Sequence, residues 1–85
     1  MYFTRMEVRV LLFASYADAF GAPNVAVTLR DGATVKELLA KVKEMAAGHA
    51  LPPAPLIAVN QVYADPGDVV RAGDEVALIP PVAGG

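Results

Sequence analysis

The residues with the most definite chemistry stand at the end of the chain, in Pro80-Pro81-Val82-Ala83-Gly84-Gly85. A terminal carboxylate is a poor electrophile until it is activated as an acyl-adenylate, and an activating site must admit it through a narrow channel beside ATP. Side chains on the last two residues would obstruct that passage, whereas two residues without a Cβ do not. Pro80-Pro81 makes the stem stiff. Six residues beyond Ile79, at ~3.3 Å each when extended, give the tail a reach of roughly 20 Å. The expectation is a tail that enters a partner's active site while the folded body docks outside, with Gly85 as the reacting residue and Gly84 needed for access. The bland alternative is a frayed terminus.

Nothing else in the chain reads as an active site. Ser15 is the only serine and His49 the only histidine, and cysteine is absent, which excludes a thiol nucleophile, a disulfide framework and a thiolate zinc site. One histidine cannot supply the three or four ligands zinc takes. His49 follows Gly48, where an imidazolium would sit favourably at a helix C-terminus. Asp65, Asp68 and Asp74 fall on turns, where aspartate caps backbone N–H groups rather than gathering calcium. No metal site is expected. Seven basic against nine acidic residues, a net charge of −2, leave no electrostatic footprint for nucleic acid. The longest strongly apolar stretch, Val8 to Ala14, is interrupted by Arg9 and falls far short of the ~20 residues of a membrane span. Glu7 and Arg9 also break any signal-peptide core. A cytoplasmic location with no membrane partner is the expectation.

The elements that must position the tail follow from periodicity. The 85 residues suit one domain, taken as 1–79 with 1–5 as a peripheral extension and 80–85 as the tail. Met6 to Phe13 alternates, with Val8, Val10 and Leu12 on one face and Arg9, Leu11 and Phe13 on the other. Ala14 to Pro23 reads as a loop or short helical turn. Asn24 to Arg30 alternates again, with Val25, Val27 and Leu29 inward, and Asp31-Gly32 ends it. Thr34 and Glu37 form a capping box that starts a helix at Val35. Val35, Leu38, Leu39, Val42, Met45 and Ala46 make its apolar stripe, Glu37 and Lys41 an i,i+4 pair, and Gly48 its C-terminal cap. Pro52, Pro53 and Pro55 forbid continuation. Leu56 to Asn60 is a short strand, Asn60-Gln61 a turn before Val62 and Tyr63, and Glu75 to Ile79 the last strand, with Val76 and Leu78 facing opposite to Ala77 and Ile79.

Two strands, one helix and two more strands make a two-layer α+β domain in which one main helix covers one face of a mixed four- to five-stranded sheet. This is the β-grasp, or ubiquitin-like, arrangement. If the first and last strands pair, Leu11, Phe13, Ala77 and Ile79 merge into one apolar patch on the uncovered face. Such a patch marks a binding surface.

These residues resemble the small subunit of molybdopterin synthase, the MoaD family of sulfur carriers, over nearly the whole chain after Met6. Val10-Leu11-Leu12-Phe13-Ala14 is similar to the family's opening strand, Gly21 to the glycine closing its next loop, Gly32 to Leu38 to its helix start, and Ala58-Val59-Asn60 to its third strand. The most specific likeness is Gly73-Asp74-Glu75-Val76 followed by Pro80-Pro81-Val82-Ala83-Gly84-Gly85. Ala17-Asp18-Ala19 stands where many members carry a basic residue, and Ala83 where Ser or Thr is commoner.

The resemblance implies that an E1-like (MoeB-like) adenylating enzyme, using ATP and Mg²⁺ that this chain itself does not bind, activates Gly85. Sulfur, from an indirect donor such as a cysteine desulfurase, then gives a Gly85 thiocarboxylate. The tail would insert into the large (MoaE-like) synthase subunit of a heterotetramer and donate sulfur to cyclic pyranopterin monophosphate. Residues expected at partner contacts are Phe13, Tyr63, Ile79 and Leu11, with Pro80, Pro81, Val82 and Ala83 of the tail. Phe13 and Ile79 follow from strand parity, and Tyr63 from its position past the turn and from the resemblance. Packing of Phe13 under the Ala14 to Pro23 loop is the alternative for that residue. On its own the chain would be non-catalytic. Other readings are a thiamin-pathway or tRNA-thiolation carrier, a ubiquitin-like modifier, or an interaction domain with an inert tail.

Overall fold

The computed structural model describes residues 5–46 and 55–80. β1 (Arg5–Leu12) buries Met6, Val8, Val10 and Leu12 on one face, as alternation of β-branched and apolar residues dictates. It begins at Arg5, which lies opposite Arg30, so Arg5 belongs to the sheet rather than to a peripheral extension. It ends one residue before Phe13. Ala14 then turns the chain with φ 49° and ψ −120°, a positive φ rare for a residue with a Cβ.

The connection after Ala14 is a six-residue helix, α1 (Ser15–Phe20), closed by Gly21 in the left-handed region at φ 68°. Its contribution to the core is Tyr16, 1% exposed. Thus Tyr16, not Phe13, packs beneath this segment. β2 (Asn24–Arg30) pairs antiparallel with β1 along its whole length and buries Val27 and Leu29.

α2 (Val35–Met45) starts where the cap places it, with Thr34 extended and its hydroxyl accepting from the Glu37 N–H at 3.3 Å. The expected return of the Glu37 carboxylate to the cap, and its pairing with Lys41, give way to an ion pair with Arg30 that ties α2 to β2. The first helical N–H groups have no partner inside a helix. Here Val35 N–H donates to the Asp68 carbonyl (2.9 Å) and Lys36 N–H to the Pro66 carbonyl (3.0 Å). The 64–74 loop is therefore pinned on the start of α2, where Val70 is buried and its N–H donates to the Ala33 carbonyl at 2.8 Å. Val35, Leu38, Val42 and Ala46 form the buried stripe, whereas Met45, about 100° round the helix axis from Ala46, lies at the stripe's edge and is exposed. Gly48, His49, Pro52 and Pro53 lie outside the described residues.

β3 (Leu56–Val59), β4 (Val62–Tyr63) and β5 (Glu75–Ile79) complete a five-stranded sheet in the order β2-β1-β5-β3-β4. β1 and β5 run parallel at the centre, and the other neighbours are antiparallel. Asn60 and Gln61, both with positive φ, form the two-residue turn between β3 and β4. The core lies between α2 and the sheet, where β1, β2, β3 and β5 present valine, leucine and isoleucine to Val35, Leu38 and Val42. Fully burying each such side chain contributes ~1.5–3 kcal/mol.

Candidate docking face and carrier tail

On the sheet face away from α2, parity and register together determine a grid of side chains. In the central row Leu11 of β1 lies beside Ala77 of β5, Ala77 beside Ala58 of β3, and Ala58 beside Tyr63 of β4. In the row toward the chain's exit, Ile79 lies opposite Leu56, and Phe13 continues from β1, its N–H donating to the Leu78 carbonyl at 3.3 Å. Leu11, Phe13, Ala58, Tyr63, Ala77 and Ile79 line one shallow depression of about 370 Å³, with Gln61 and Glu75 at its polar end. Phe13 is 47% and Tyr63 70% exposed.

All four body residues expected from the sequence thus meet in one place. Phe13 and Tyr63 are large apolar surfaces left in water on a face that no described element covers. Beyond Leu11 and Ala77 the same face turns charged, with Arg9 beside Glu75 in the parallel register and Glu7 further along β1. The apolar half sits at the end where β5 finishes at Ile79 and half-buried Pro80 follows. The chain leaves the sheet toward the tail from the edge of this depression. Pro81, Val82, Ala83, Gly84 and Gly85 lie outside the described residues.

Ala58, Gln61 and Glu75 complete the depression and were not singled out by the sequence. Alternation in Leu56–Val59 could have pointed to Ala58, but four consecutive apolar residues give parity little contrast. A larger groove, about 670 Å³, lies on the helix side between α2 and β3, with Leu39, Lys36 and Lys43 on one wall and Ile57 and Ala64 on the other. It gathers no set of groups that could perform acid–base chemistry, and Tyr63 borders it as well.

The turn aspartates do what their position demands. Asp68 Oδ2 accepts from the Asp65 N–H, and Asp74 Oδ2 from the Arg71 N–H, each at 2.9 Å. Among the described residues no group of three His, Cys, Asp or Glu side chains is placed to hold a metal ion, and no helix is long and apolar enough to cross a membrane. One shifted titration stands out, that of Tyr16, whose phenol is pushed up by burial. It points into the core and has no place in the docking face.

The model of the ThiS family matches residues 10–85, which takes in the end of β1, all the later strands, α2 and the diglycine. The chain belongs to the ThiS family. Within that family it is similar to the molybdopterin synthase sulfur carrier subunit of Chlamydomonas reinhardtii, with 39% identity over 94% of this chain and 100% of the relative. The subunit of the same name from Homo sapiens is 32% identical over 93% of this chain and 94% of its own length. Among solved structures, small archaeal modifier protein 1 of H. volcanii superposes with a TM-score of 0.77 at 29% identity, covering 91% of this chain and 99% of that one. A putative molybdopterin converting factor subunit 1 from Pyrococcus furiosus gives 0.75 at 27% identity, covering 91% and 99%. The β-grasp fold expected from the element order is the fold shared with these structural neighbours.

Proposed function

We propose that this chain is the sulfur carrier subunit of a molybdopterin synthase and that the Gly85 carboxylate is its working group. The observation that carries the reading is the location of the exposed apolar face beside Ile79 and Pro80, in a chain 39% identical to a subunit of that name. A partner that covers Phe13 and Tyr63 stands where the tail departs, so docking the body and threading the tail are one event.

The chain's own part is to present an electrophile and then a nucleophile. An E1-like enzyme with ATP and Mg²⁺ converts the Gly85 carboxylate to an acyl-adenylate with release of pyrophosphate. The terminal sulfur of a persulfide, carried from a donor such as a cysteine desulfurase, attacks the acyl carbon and releases AMP, and a thiol then reduces the acyl disulfide, leaving a thiocarboxylate. Inside the large synthase subunit that sulfur bonds to a carbon of the pterin precursor in place of an oxygen substituent, water then cleaves the acyl–sulfur bond, and the tail returns as a carboxylate. The large subunit supplies the pterin pocket and the acid–base groups. The small chain is a consumed co-substrate that must dissociate, be recharged and return.

The test is reconstitution. Thiocarboxylated chain mixed with large subunit and pterin precursor should yield one dithiolene product per two small chains consumed, because each tail delivers one sulfur. Intact mass before and after should show sulfur exchanged for oxygen at Gly85. Conversion by the small chain alone, or many turnovers without a sulfur source, would overturn the reading.

A further inference from the structure

Among the described residues, three that carry a Cβ have positive φ: Ala14 at 49°, Asn60 at 51° and Gln61 at 70°. That region is unfavourable for side-chain-bearing residues, least so for asparagine and aspartate. Asn60 has a local reason to be there, since its side chain and backbone make three hydrogen bonds to Asp74 and Glu75. Gln61 has no such compensation. It is the second central residue of the two-residue β3–β4 turn, where both central residues take positive φ and glycine is the preferred follower of asparagine. Its side chain is exposed, and its carboxamide makes no hydrogen bond with any described residue.

Ala14 departs from local preference in the same way. Tyr16 N–H donates to the Phe13 carbonyl at 3.0 Å, and φ 49° with ψ −120° is the first central position of a type II′ turn, again a glycine position. The residue is exposed, so burial does not offset the strain. Both residues border one surface. Ala14 follows Phe13 at one end of the sheet-face depression, and Gln61 lines the other end beside Glu75. Strain that the chain's own contacts leave uncompensated collects at binding sites.

The root of the Gln61 side chain is also fixed. Asn60 N–H donates to the Glu75 carbonyl at 2.8 Å and its Oδ1 accepts from the Glu75 N–H at 3.0 Å, which locks the turn to β5. The carboxamide thus stands on a rigid base at the polar end of an otherwise apolar depression. It offers an NH₂ donor and a carbonyl acceptor without charge. A main-chain peptide group, with one N–H and one C=O, is its neutral complement.

We propose that Gln61 is a specificity-determining contact of the candidate docking face, its carboxamide pairing with a main-chain peptide group of the large synthase subunit at the end away from Ile79. The inference rests on the reading of this chain as the small subunit of that enzyme. An apolar patch alone accepts many surfaces, whereas an amide closed under a partner disfavours every surface that leaves it unpaired. Glycine at 61 would relax the turn and lose that discrimination.

The test measures, for one set of full-length variants, the melting temperature and the affinity for the large subunit by calorimetry. Gln61→Gly should raise the melting temperature by several degrees while weakening binding about 3–10-fold. A residue with a structural role alone would not move the two in opposite senses. Gln61→Met keeps the length and the strain but lacks the amide, so it should melt with the wild type and lose the same affinity. Gln61→Glu loses the donor and adds a charge beside Glu75, and should bind more weakly still. The proposal fails if Gln61→Gly and Gln61→Met both bind as the wild type does, or if Gln61→Gly melts below the wild type. Tighter binding by Gln61→Glu would also overturn it, by putting a cation opposite the residue. Phe13→Ala separates this failure from that of the underlying reading. Binding weakened by Phe13→Ala but undiminished in the Gln61 variants overturns the Gln61 contact alone. No binding by the wild-type chain overturns the reading, and this contact with it.

Discussion

Asn60 Nδ2 donates to Asp74 Oδ1 at 3.1 Å, joining the turn after β3 to the residue just ahead of β5, 14 positions away in sequence. The same asparagine accepts from the Glu75 N–H through its Oδ1 at 3.0 Å, and its own N–H donates to the Glu75 carbonyl at 2.8 Å. Its φ of 51° is one that asparagine tolerates better than most residues. One side chain therefore sets where β5 begins, and with it the line along which the chain leaves toward Pro80. Asn60→Ala loses both side-chain bonds and strains the turn, which should cost ~1.5–3 kcal/mol in urea unfolding. Asn60→Gly keeps the conformation and should recover about 1 kcal/mol of that. Equal losses in the two variants would mean that φ contributes nothing.

Phe13 separates docking from folding. It is 47% exposed and outside the core cluster, so Phe13→Ala should shift the melting temperature little. Aromatic anchors at interface centres typically cost ~2 kcal/mol or more when truncated. Affinity for the large subunit, measured by calorimetry, should fall roughly 30-fold. A large drop in melting temperature with unchanged affinity would return Phe13 to a structural role.

The tail prediction concerns a single atom group. Adding one alanine after Gly85, or deleting Gly85, should abolish adenylation by the activating enzyme while leaving the unfolding curve unchanged. Normal sulfur transfer by the extended chain would refute a terminal-carboxylate mechanism.

Tyr16 makes stability depend on alkali. Its phenol pKa is raised from 10.0 by burial. The folded chain thus holds a proton that the unfolded chain releases near that pH. The contribution is complete below pH 10 and falls as pH rises through the higher folded value. Denaturant melts between pH 9 and 12 should show the wild-type chain losing stability faster than Tyr16→Phe. Parallel slopes would contradict this assignment.

Several parts of this protein were determined by local sequence. Alternation in β1, β2 and β5 assigned inward and outward faces correctly because a strand's side-chain period is two. Thr34 set the start of α2, and Asn60-Gln61 the β3–β4 turn, because caps and two-residue turns are made of neighbouring residues. The order of those elements determined the β-grasp arrangement. Other features were decided by contacts distant in sequence. Tyr16, inside the segment read as a loop or short helical turn, and Val70, between two turns, are core, since one packs under β1 from a six-residue helix and the other is held by the Ala33 carbonyl. Glu37 belongs to Arg30 rather than to Lys41 because the register of β2 brings the arginine alongside α2. Arg5 is a strand residue only because Arg30 lies across from it. Met45, at helical spacing, is exposed at the edge of the stripe, about 100° round the helix axis from buried Ala46. The candidate docking face shows the same division. Parity put Phe13 and Ile79 on one side of their strands, and the parallel pairing of β1 with β5 made that side a single surface at the end of the sheet where β5 finishes.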